Sequence, residues 1–282
     1  MRFATVLEGN HSSVAIVHEG SYVALSGLGD GLGSVRAITA SGGAGLRRIR
    51  DWAARQPADS YRSLDGVVLG PVVPDPGAIY TVGWNYTQPG EPDPDRPARP
   101  LIYAKLPTAV GGPDQTLSWD RSLTPNVDPE CELGVVIGAP AVSVSPEDAM
   151  DHVFGYTCIN DISSRDPWLD GDQWLLGKSM PGFCPVGPWV VTPDEIAPDH
   201  LQLGCTINGV VIQDGNTAQM RFAIGEVISY LSRHTVLRPG DLIATGTPAR
   251  RSGPMGPERH LEAGDVVSVW IERIGRLTTT IA

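Results

Sequence analysis

Three carboxylates stand where two strand-like segments of the chain begin or end. Glu130 and Glu132 lie two residues apart at the head of an apolar run, residues 133–137. Because alternate side chains of a strand point to the same face, we expect both carboxylates to project together. Asp161 follows a second strand-like run, residues 154–159. A cluster of carboxylates without histidine or thiolate suits a hard cation, Mg²⁺, Mn²⁺ or Ca²⁺, rather than Zn²⁺.

The spacing of the glutamates has a second interpretation, in which Glu130 and Glu132 merely occupy the solvent face of a half-buried strand. Cys131, between them, is expected to point to the opposite face and is not counted as a ligand. Spacing alone leaves both interpretations open.

Several longer motifs point to a known family. The segments ECELGVVIG, GYTCINDISSRD, GKSMPGFCPVGPWVV, INGVVIQDGNT and GDLIATGTP follow one another in the chain, with TVGWNY upstream. In this order they resemble the fumarylacetoacetate hydrolase family over roughly residues 78–280. The resemblance implies a core of rolled, mixed β-sheet and an enzyme that acts on acylpyruvate-like 2-oxo acids or β-dicarbonyls.

The resemblance also assigns roles to individual residues. Glu130, Glu132 and Asp161 match the family's ligands for a divalent metal, which would be Mg²⁺, with Mn²⁺ or Ca²⁺ as alternatives. Two further positions match catalytic residues: Arg165 matches the arginine that faces the substrate's carboxylate or oxyanion, and Lys178 matches the lysine beside the scissile carbonyl. The positions that match substrate-binding residues of the family are Tyr86, Lys105 and Thr247.

Each cationic or polar position has a competing interpretation. Arg165 could instead form an ion pair with Asp166 or Asp161. Lys178 could be a solvated lysine, although its surroundings are apolar and rich in proline. Thr247 lies between Gly246 and Pro248, where a purely structural turn is a fair competitor.

The chain departs from the hydrolytic members at two places. These members have a His-x-x-Glu pair on a short lid helix, which activates the attacking water as a general base. Here Pro89 and Pro92 stand at those positions, and Glu91 is one residue out of register. Proline disfavours a helix interior, so the five prolines of this segment predict an extended loop: Pro89, Pro92, Pro94, Pro97 and Pro100. Trp168 stands where hydrolytic relatives often have glutamine.

These departures leave two catalytic hypotheses open. C–C bond hydrolysis is the family default, through a metal-bound enolate, and it would need another base, for which His260 is a candidate. Non-hydrolytic enolate chemistry is the rival: decarboxylation, tautomerisation or isomerisation, lyase chemistry or cyclisation. A third hypothesis is a binding protein that has lost turnover.

Composition narrows the class of protein. A net charge of −11 argues against a nucleic-acid or anionic-membrane surface, so an acidic small-molecule substrate would need local positive charge. No uncharged run reaches the ~18 residues of a membrane helix. The four cysteines show no CxxC spacing, and buried free thiols in a reducing cytoplasm are expected.

The pattern of elements predicts an α+β, mainly β protein with two parts. A small N-terminal domain is expected over residues 1–70 and the catalytic domain over 71–282, with a Pro- and Gly-rich boundary. Helices are expected at 46–56, 146–152 and 220–233, and a glycine-rich loop at 27–45. The resemblance implies a homodimer.

Overall fold

The computed structural model of the protein describes residues 1–9, 11–29, 31–87, 96–166, 173–252, 256 and 259–282. Within these residues, strands dominate and the helices are short, which confirms the α+β, mainly β prediction. The first ten strands, in chain order, are β1 (Arg2–Glu8), β2 (His11–His18), β3 (Ser21–Ala24), β4 (Arg62–Ser63), β5 (Val68–Gly70), β6 (Ile79–Gly83), β7 (Leu101–Lys105), β8 (Val110–Gly111), β9 (Gln115–Leu117) and β10 (Val127–Asp128). The remaining strands are β11 (Cys131–Ile137), β12 (Val153–Asn160), β13 (Ser163–Ser164), β14 (Cys184–Val191), β15 (Gln202–Ile207), β16 (Val210–Asn216), β17 (Leu242–Ala244), β18 (Val266–Ile271) and β19 (Gly275–Ile281).

The strands form two large sheets and a short ribbon. The larger sheet has the order β4-β3-β2-β1-β14-β12-β11-β17-β6-β7, with β5 beside β1 and β8 beside β14. The smaller sheet has the order β16-β15-β18-β19-β9, and β10 pairs with β13. Most pairs are antiparallel, but β17–β6, β14–β8 and β19–β9 are parallel, so both large sheets are mixed.

Strand β11 lies at the centre of the molecule and is covered on both faces. Its residues Leu133 and Val135 pack in one apolar core with Leu203 and Val269 of the smaller sheet. Val136 points the other way, into a second core that also contains side chains of the N-terminal segment. Burial on both faces explains why the segment CELGVVI is an almost continuous apolar run rather than an alternating one.

The helices differ in part from the sequence predictions. They are α1 (Val35–Ala40), α2 (Gly42–Ala53), α3 (Leu175–Lys178) and α4 (Ile224–Ser232). The predicted loop at 27–45 is wrong, because α1 and the start of α2 lie there; Ser34 caps α1 by accepting a hydrogen bond from the Ala37 N–H at 3.0 Å. Helix α1 itself contains no glycine and buries Val35 and Ile38, while burial of Ile49 on α2 outweighs the low helix propensity of the glycines at the start of that helix.

The other two helix predictions hold only in part. The segment 146–152 forms a single 3₁₀ turn at Ala149–His152, although the Ser145 hydroxyl does accept from the Asp148 N–H. The predicted helix at 220–233 is the shorter α4, which begins after Ala223, whose N–H donates to the Glu226 carboxylate at 2.8 Å. Glu226 is exposed, as expected.

The N-terminal strands continue the larger sheet. β1 runs antiparallel to β14, with Arg2 opposite Val191, and β5 pairs with the other part of β1. The division into domains at residue 70 remains a prediction. All four cysteines are buried and free, as predicted for the thiols themselves. Among the described helices, none is long and apolar enough to span a membrane.

Asp241 fastens the start of β17 to the start of β6. Its buried carboxylate accepts hydrogen bonds from the Ala78 N–H at 2.9 Å and the Arg238 N–H at 2.8 Å. Asp241→Ala should lower the free energy of unfolding by about 1–3 kcal/mol, because two partly buried amides lose their acceptor. Urea denaturation measures this, with the exposed Asp59→Ala as control; equal stability of the two variants would contradict the assigned role.

Candidate metal centre and substrate cavity

The pairing of β11 with β12 brings the three carboxylates together. Cys131 lies opposite Asn160 in the register, and the Asp161 N–H donates to the Glu130 carbonyl at 2.9 Å. The head of β11 therefore adjoins the end of β12. Carboxylate oxygens of Glu130, Glu132 and Asp161 lie within 4.8 Å of one another. The structure thus places the predicted ligands in one cluster, next to a cavity that all three line.

Two buried lysines partly neutralise this cluster. Lys178 Nζ lies 2.6 Å from Asp161 Oδ2 and 3.3 Å from Glu130 Oε2, and it donates to Ser163 Oγ at 2.8 Å. Lys105 Nζ lies 2.6 Å from the other oxygen of Asp161. Burial by itself would lower the pKa of Lys178, but Asp161 and Glu130 raise it above its ordinary value. The Lys178 ammonium is therefore held in the charged form.

Glu132 differs from the other two carboxylates. Across the described part of the chain it forms no ion pair; its Oε2 accepts from the Gly246 N–H at 2.6 Å. Burial raises the pKa of Glu132 well above its ordinary value, and the neighbouring Asp161 and Glu130 raise it further. A divalent cation among these oxygens would remove that repulsion, so the donor set fits a hard cation.

Arg165 completes the cluster with contacts that the sequence had not indicated. Its Nε donates to Asp128 Oδ2 at 3.1 Å, and its Nη2 donates to Glu130 Oε1. Burial would raise the pKa of Glu130, yet Arg165 and Lys178 lower it below its ordinary value. Asp166, one suggested partner, instead accepts from Thr124 and from Asn126 Nδ2, the latter at 2.6 Å.

Thr247 and Gln213 form a polar bridge at the side of the cavity. The Thr247 hydroxyl donates to the Cys131 carbonyl at 2.9 Å and accepts from Gln213 Nε2 at 2.7 Å. The Gln213 amide oxygen accepts from the Cys131 N–H at 2.9 Å. Thr247 therefore fixes the segment after β17 against the head of β11 while also lining the cavity.

The cavity has a volume of about 390 Å³, enough for a small organic acid. Seven of the eight predicted site residues line it: Tyr86, Glu130, Glu132, Asp161, Arg165, Lys178 and Thr247. Lys105 lies behind the wall, where its side chain has no exposed surface and reaches Asp161 and the Ile162 carbonyl.

The most informative residue that sequence reasoning missed is Asp128. Its Oδ1 accepts from Arg250 Nη1 and contacts His260 Nδ1, both at 2.8 Å, while its Oδ2 accepts from Arg165. The signal was present, because Asp128 extends by two residues the alternation of Glu130 and Glu132. His260 is not among the described residues that line the cavity.

The two sequence departures lie outside the described residues. Pro89, Glu91 and Pro92 fall in 88–95, and Trp168 falls in 167–172. The effect of these departures on the site is inferred from the sequence alone.

Comparison with known proteins agrees with this geometry. The family model for the fumarylacetoacetate hydrolase C-terminal region matches residues 78–282. A fumarylacetoacetate hydrolase from Exiguobacterium antarcticum is 30% identical, with a TM-score of 0.86 over 100% of this chain and 99% of that one. The chain therefore belongs to the fumarylacetoacetate hydrolase family, as its motifs predicted.

Two further solved structures represent different reactions within similar folds. Maleylpyruvate hydrolase from Sphingobium sp. SYK-6, in complex with manganese(II) and pyruvate, is 27% identical, with a TM-score of 0.81 over 100% of this chain and 99% of that one. A 2-hydroxyhepta-2,4-diene-1,7-dioate isomerase from Mycobacterium marinum is 31% identical, with a TM-score of 0.75 over 100% and 98%. Similarity of fold therefore does not choose between hydrolysis and isomerisation.

Glu132→Gln should weaken the binding of Mn²⁺ by about tenfold or more, because it removes an anionic oxygen yet preserves the acceptor for the Gly246 N–H. Electron paramagnetic resonance of free Mn²⁺ measures this affinity. Glu226→Gln, an exposed substitution on α4, should bind Mn²⁺ like the unsubstituted protein. Equal affinity of both variants would show that the cation binds elsewhere.

Gly246→Ala should destabilise the protein and weaken Mn²⁺ binding. Gly246 has φ of +99°, and an added Cβ would lie 2.7 Å from Asn85 Cβ and 2.9 Å from the Val82 carbonyl oxygen. Gly264→Ala is a matched control, since its φ is +90° but nothing lies within 4 Å. Urea unfolding should show Gly246→Ala the less stable by about 1–3 kcal/mol. A smaller loss than in the control would contradict the close packing.

Proposed function

We propose that the protein is a divalent-metal-dependent enzyme that acts on acylpyruvate-like 2-oxo acids or β-dicarbonyls, with C–C bond hydrolysis as its reaction. The observation that carries this proposal is the cluster of Glu130, Glu132 and Asp161 beside Lys178 and Arg165 at one end of the cavity. The carboxylate oxygens that would bind a metal ion are therefore in contact with the lysine and arginine side chains that would stabilise a substrate oxyanion.

Glu130, Glu132 and Asp161 would hold the cation, with Mg²⁺ proposed and Mn²⁺ or Ca²⁺ as alternatives. When bound, such a cation polarises the oxygens of a dicarbonyl substrate as a Lewis acid. The manganese(II) and pyruvate in the Sphingobium structure support both the ion class and the 2-oxo acid.

Lys178 and Arg165 supply the remaining positive charge. Lys178 Nζ already donates to Asp161, Glu130 and Ser163, so it would donate to a substrate oxyanion by giving up its longest bond, the 3.3 Å contact with Glu130. Arg165 is held by two carboxylates, which orient its guanidinium along the cavity wall. Stabilisation of an enolate by these two side chains would assist departure of the acyl carbon.

Non-hydrolytic enolate chemistry is a second candidate, and the missing general base favours it. Among the described residues that line the cavity there is no histidine. His260 contacts Asp128 instead, and prolines occupy the positions of the His-x-x-Glu pair. The isomerase from Mycobacterium marinum supports tautomerisation as the form this chemistry would take. A non-catalytic binding protein is the third candidate.

The proposal extends to the assembly and the partners. An acidic small molecule is the partner we propose, rather than a nucleic acid or a membrane, and the active form is taken to be a homodimer. Size-exclusion chromatography with light scattering tests the dimer.

The catalytic candidates can be distinguished by incubating the Mn²⁺-loaded protein with three compounds and following their conversion by NMR. The compounds are acetylpyruvate, a fumarylpyruvate-like acid and oxaloacetate. We expect cleavage of an acylpyruvate to pyruvate and a second acid, with Asp161→Ala inactive because one ligand is lost. The non-hydrolytic candidate would be established if the acylpyruvate stays intact while oxaloacetate exchanges tautomers or loses CO₂ faster with the protein than with free Mn²⁺. Mn²⁺ binding without any conversion of the three compounds would oppose both.

A further inference from the structure

Three aromatic side chains, Trp84, Tyr103 and Trp174, line the same cavity as the carboxylate cluster. The guanidinium carbon of Arg165 lies 5.8 Å from the centroid of the Trp174 ring. The ring of Tyr103 lies 5.9 Å from that of Trp174, centroid to centroid. Trp84 also lines the cavity, next to the strand against which Tyr103 packs. These three residues, Trp174, Tyr103 and Trp84, are called the aromatic wall below.

The backbone of β6 is adapted to the aromatic wall. A Cβ at Gly83 would lie 2.6 Å from Cε2 of Tyr103, so the absence of a side chain lets the Tyr103 ring lie against the strand. Trp84 follows with φ of 54°, and its side chain is 74% exposed. Its carbonyl accepts from Arg221 Nη1 at 2.8 Å. An indole in a left-handed backbone conformation with this exposure is uncommon, and here it stands at the cavity mouth.

Two arginines in the same region, Arg250 and Arg221, donate hydrogen bonds to acceptors of the protein. Arg250 donates to Asp128 at 2.8 Å and to the Arg259 carbonyl at 2.9 Å. Arg221 donates to Trp84, as described. The cavity is therefore lined by aromatic rings, and the arginines beside these rings are hydrogen-bonded to protein acceptors. Ring surfaces favour planar, apolar groups, which stack on them.

We propose that the substrate is an aroylpyruvate, with its dioxo acid at the carboxylate cluster and its aryl ring on the aromatic wall. This inference rests on the proposed function and narrows its substrate class. The aryl group is attached directly to the carbonyl carbon of the scissile bond. It therefore lies one bond from the reacting centre, where it would pack against Trp174, whose ring centroid is 5.8 Å from the guanidinium carbon of Arg165.

The reaction balances for benzoylpyruvate. Water adds to the benzoyl carbonyl, and the bond between that carbon and the methylene carbon breaks. The electron pair stays on the methylene carbon, which takes up a proton. Benzoate and pyruvate are the products, and one proton is released to solvent.

The test compares kcat/KM of the Mn²⁺-loaded protein for benzoylpyruvate, acetylpyruvate and maleylpyruvate, the last representing a second carboxylate at the distal end. We expect benzoylpyruvate to exceed both by about tenfold or more. In Tyr103→Leu the ratio of benzoylpyruvate to acetylpyruvate should fall about tenfold. Tyr230→Leu is the matched control, because Tyr230 lies on α4 and is not among the described lining residues. Equal efficiency with benzoyl- and acetylpyruvate, or preference for maleylpyruvate, would overturn the inference.

A binding measurement separates this inference from the proposed function. Calorimetry of the Mn²⁺-loaded protein compares phenylpyruvate, pyruvate and 2-oxoglutarate. If no acylpyruvate is cleaved but phenylpyruvate binds at least about tenfold more tightly than pyruvate, and Tyr103→Leu removes the difference, the aromatic wall stands while the hydrolytic proposal fails. Tighter binding of 2-oxoglutarate than of phenylpyruvate would overturn the inference that the aromatic wall binds an aryl group. If Trp84→Ala dissociates the proposed dimer but leaves the ratio of kcat/KM for benzoylpyruvate and acetylpyruvate unchanged, Trp84 contacts a second copy of the chain and does not belong to the aromatic wall.

Discussion

Repulsion among three clustered carboxylates is the constraint on which the rest of the site depends. Glu130, Glu132 and Asp161 lie within 4.8 Å of one another, where negative charges strongly oppose ionisation unless cations are close. Lys105 and Lys178 bind the two oxygens of Asp161 from different sides, yet neither forms an ion pair with Glu132. A divalent cation among these oxygens would offset this remaining charge.

The fold meets this constraint by joining the ends of strands. The cluster forms where β11 begins and β12 ends, in a sheet that is buried on both faces. The segment after β17 arrives at the same place, because β17 also pairs with β11, and there Gly246 donates its N–H to Glu132. Three backbone segments that are distant in sequence therefore fix the carboxylates, which limits how far the cluster can relax when a cation binds.

The cavity divides into a charged end and a ring-lined mouth. Hydrolases and isomerases that resemble this chain have similar folds, so the reaction must be decided by the groups around the cluster rather than by the fold. Here Asp128 joins Arg165 and Arg250 into one array, and Trp174 contacts Arg165 at its outer side. Under the proposed function, the rings at the mouth would select the substrate, while the charged end would stabilise the negative charge that develops during the reaction.

The sequence by itself determined the family and the mainly β class, through its motifs and its short apolar runs, and the resemblance named the three carboxylates. Because the spacing of Glu130 and Glu132 fits a solvent-exposed strand face equally well, only the tertiary structure showed that the carboxylates meet. The sequence did not reveal α1, because glycines at 27–45 hid its apolar positions. The ion pairs of Lys105 and Arg165 were decided only by the tertiary structure. Their partners depend on the register between β11 and β12 and on the placement of β7 and the β10–β13 ribbon, which are long-range pairings that no local spacing encodes.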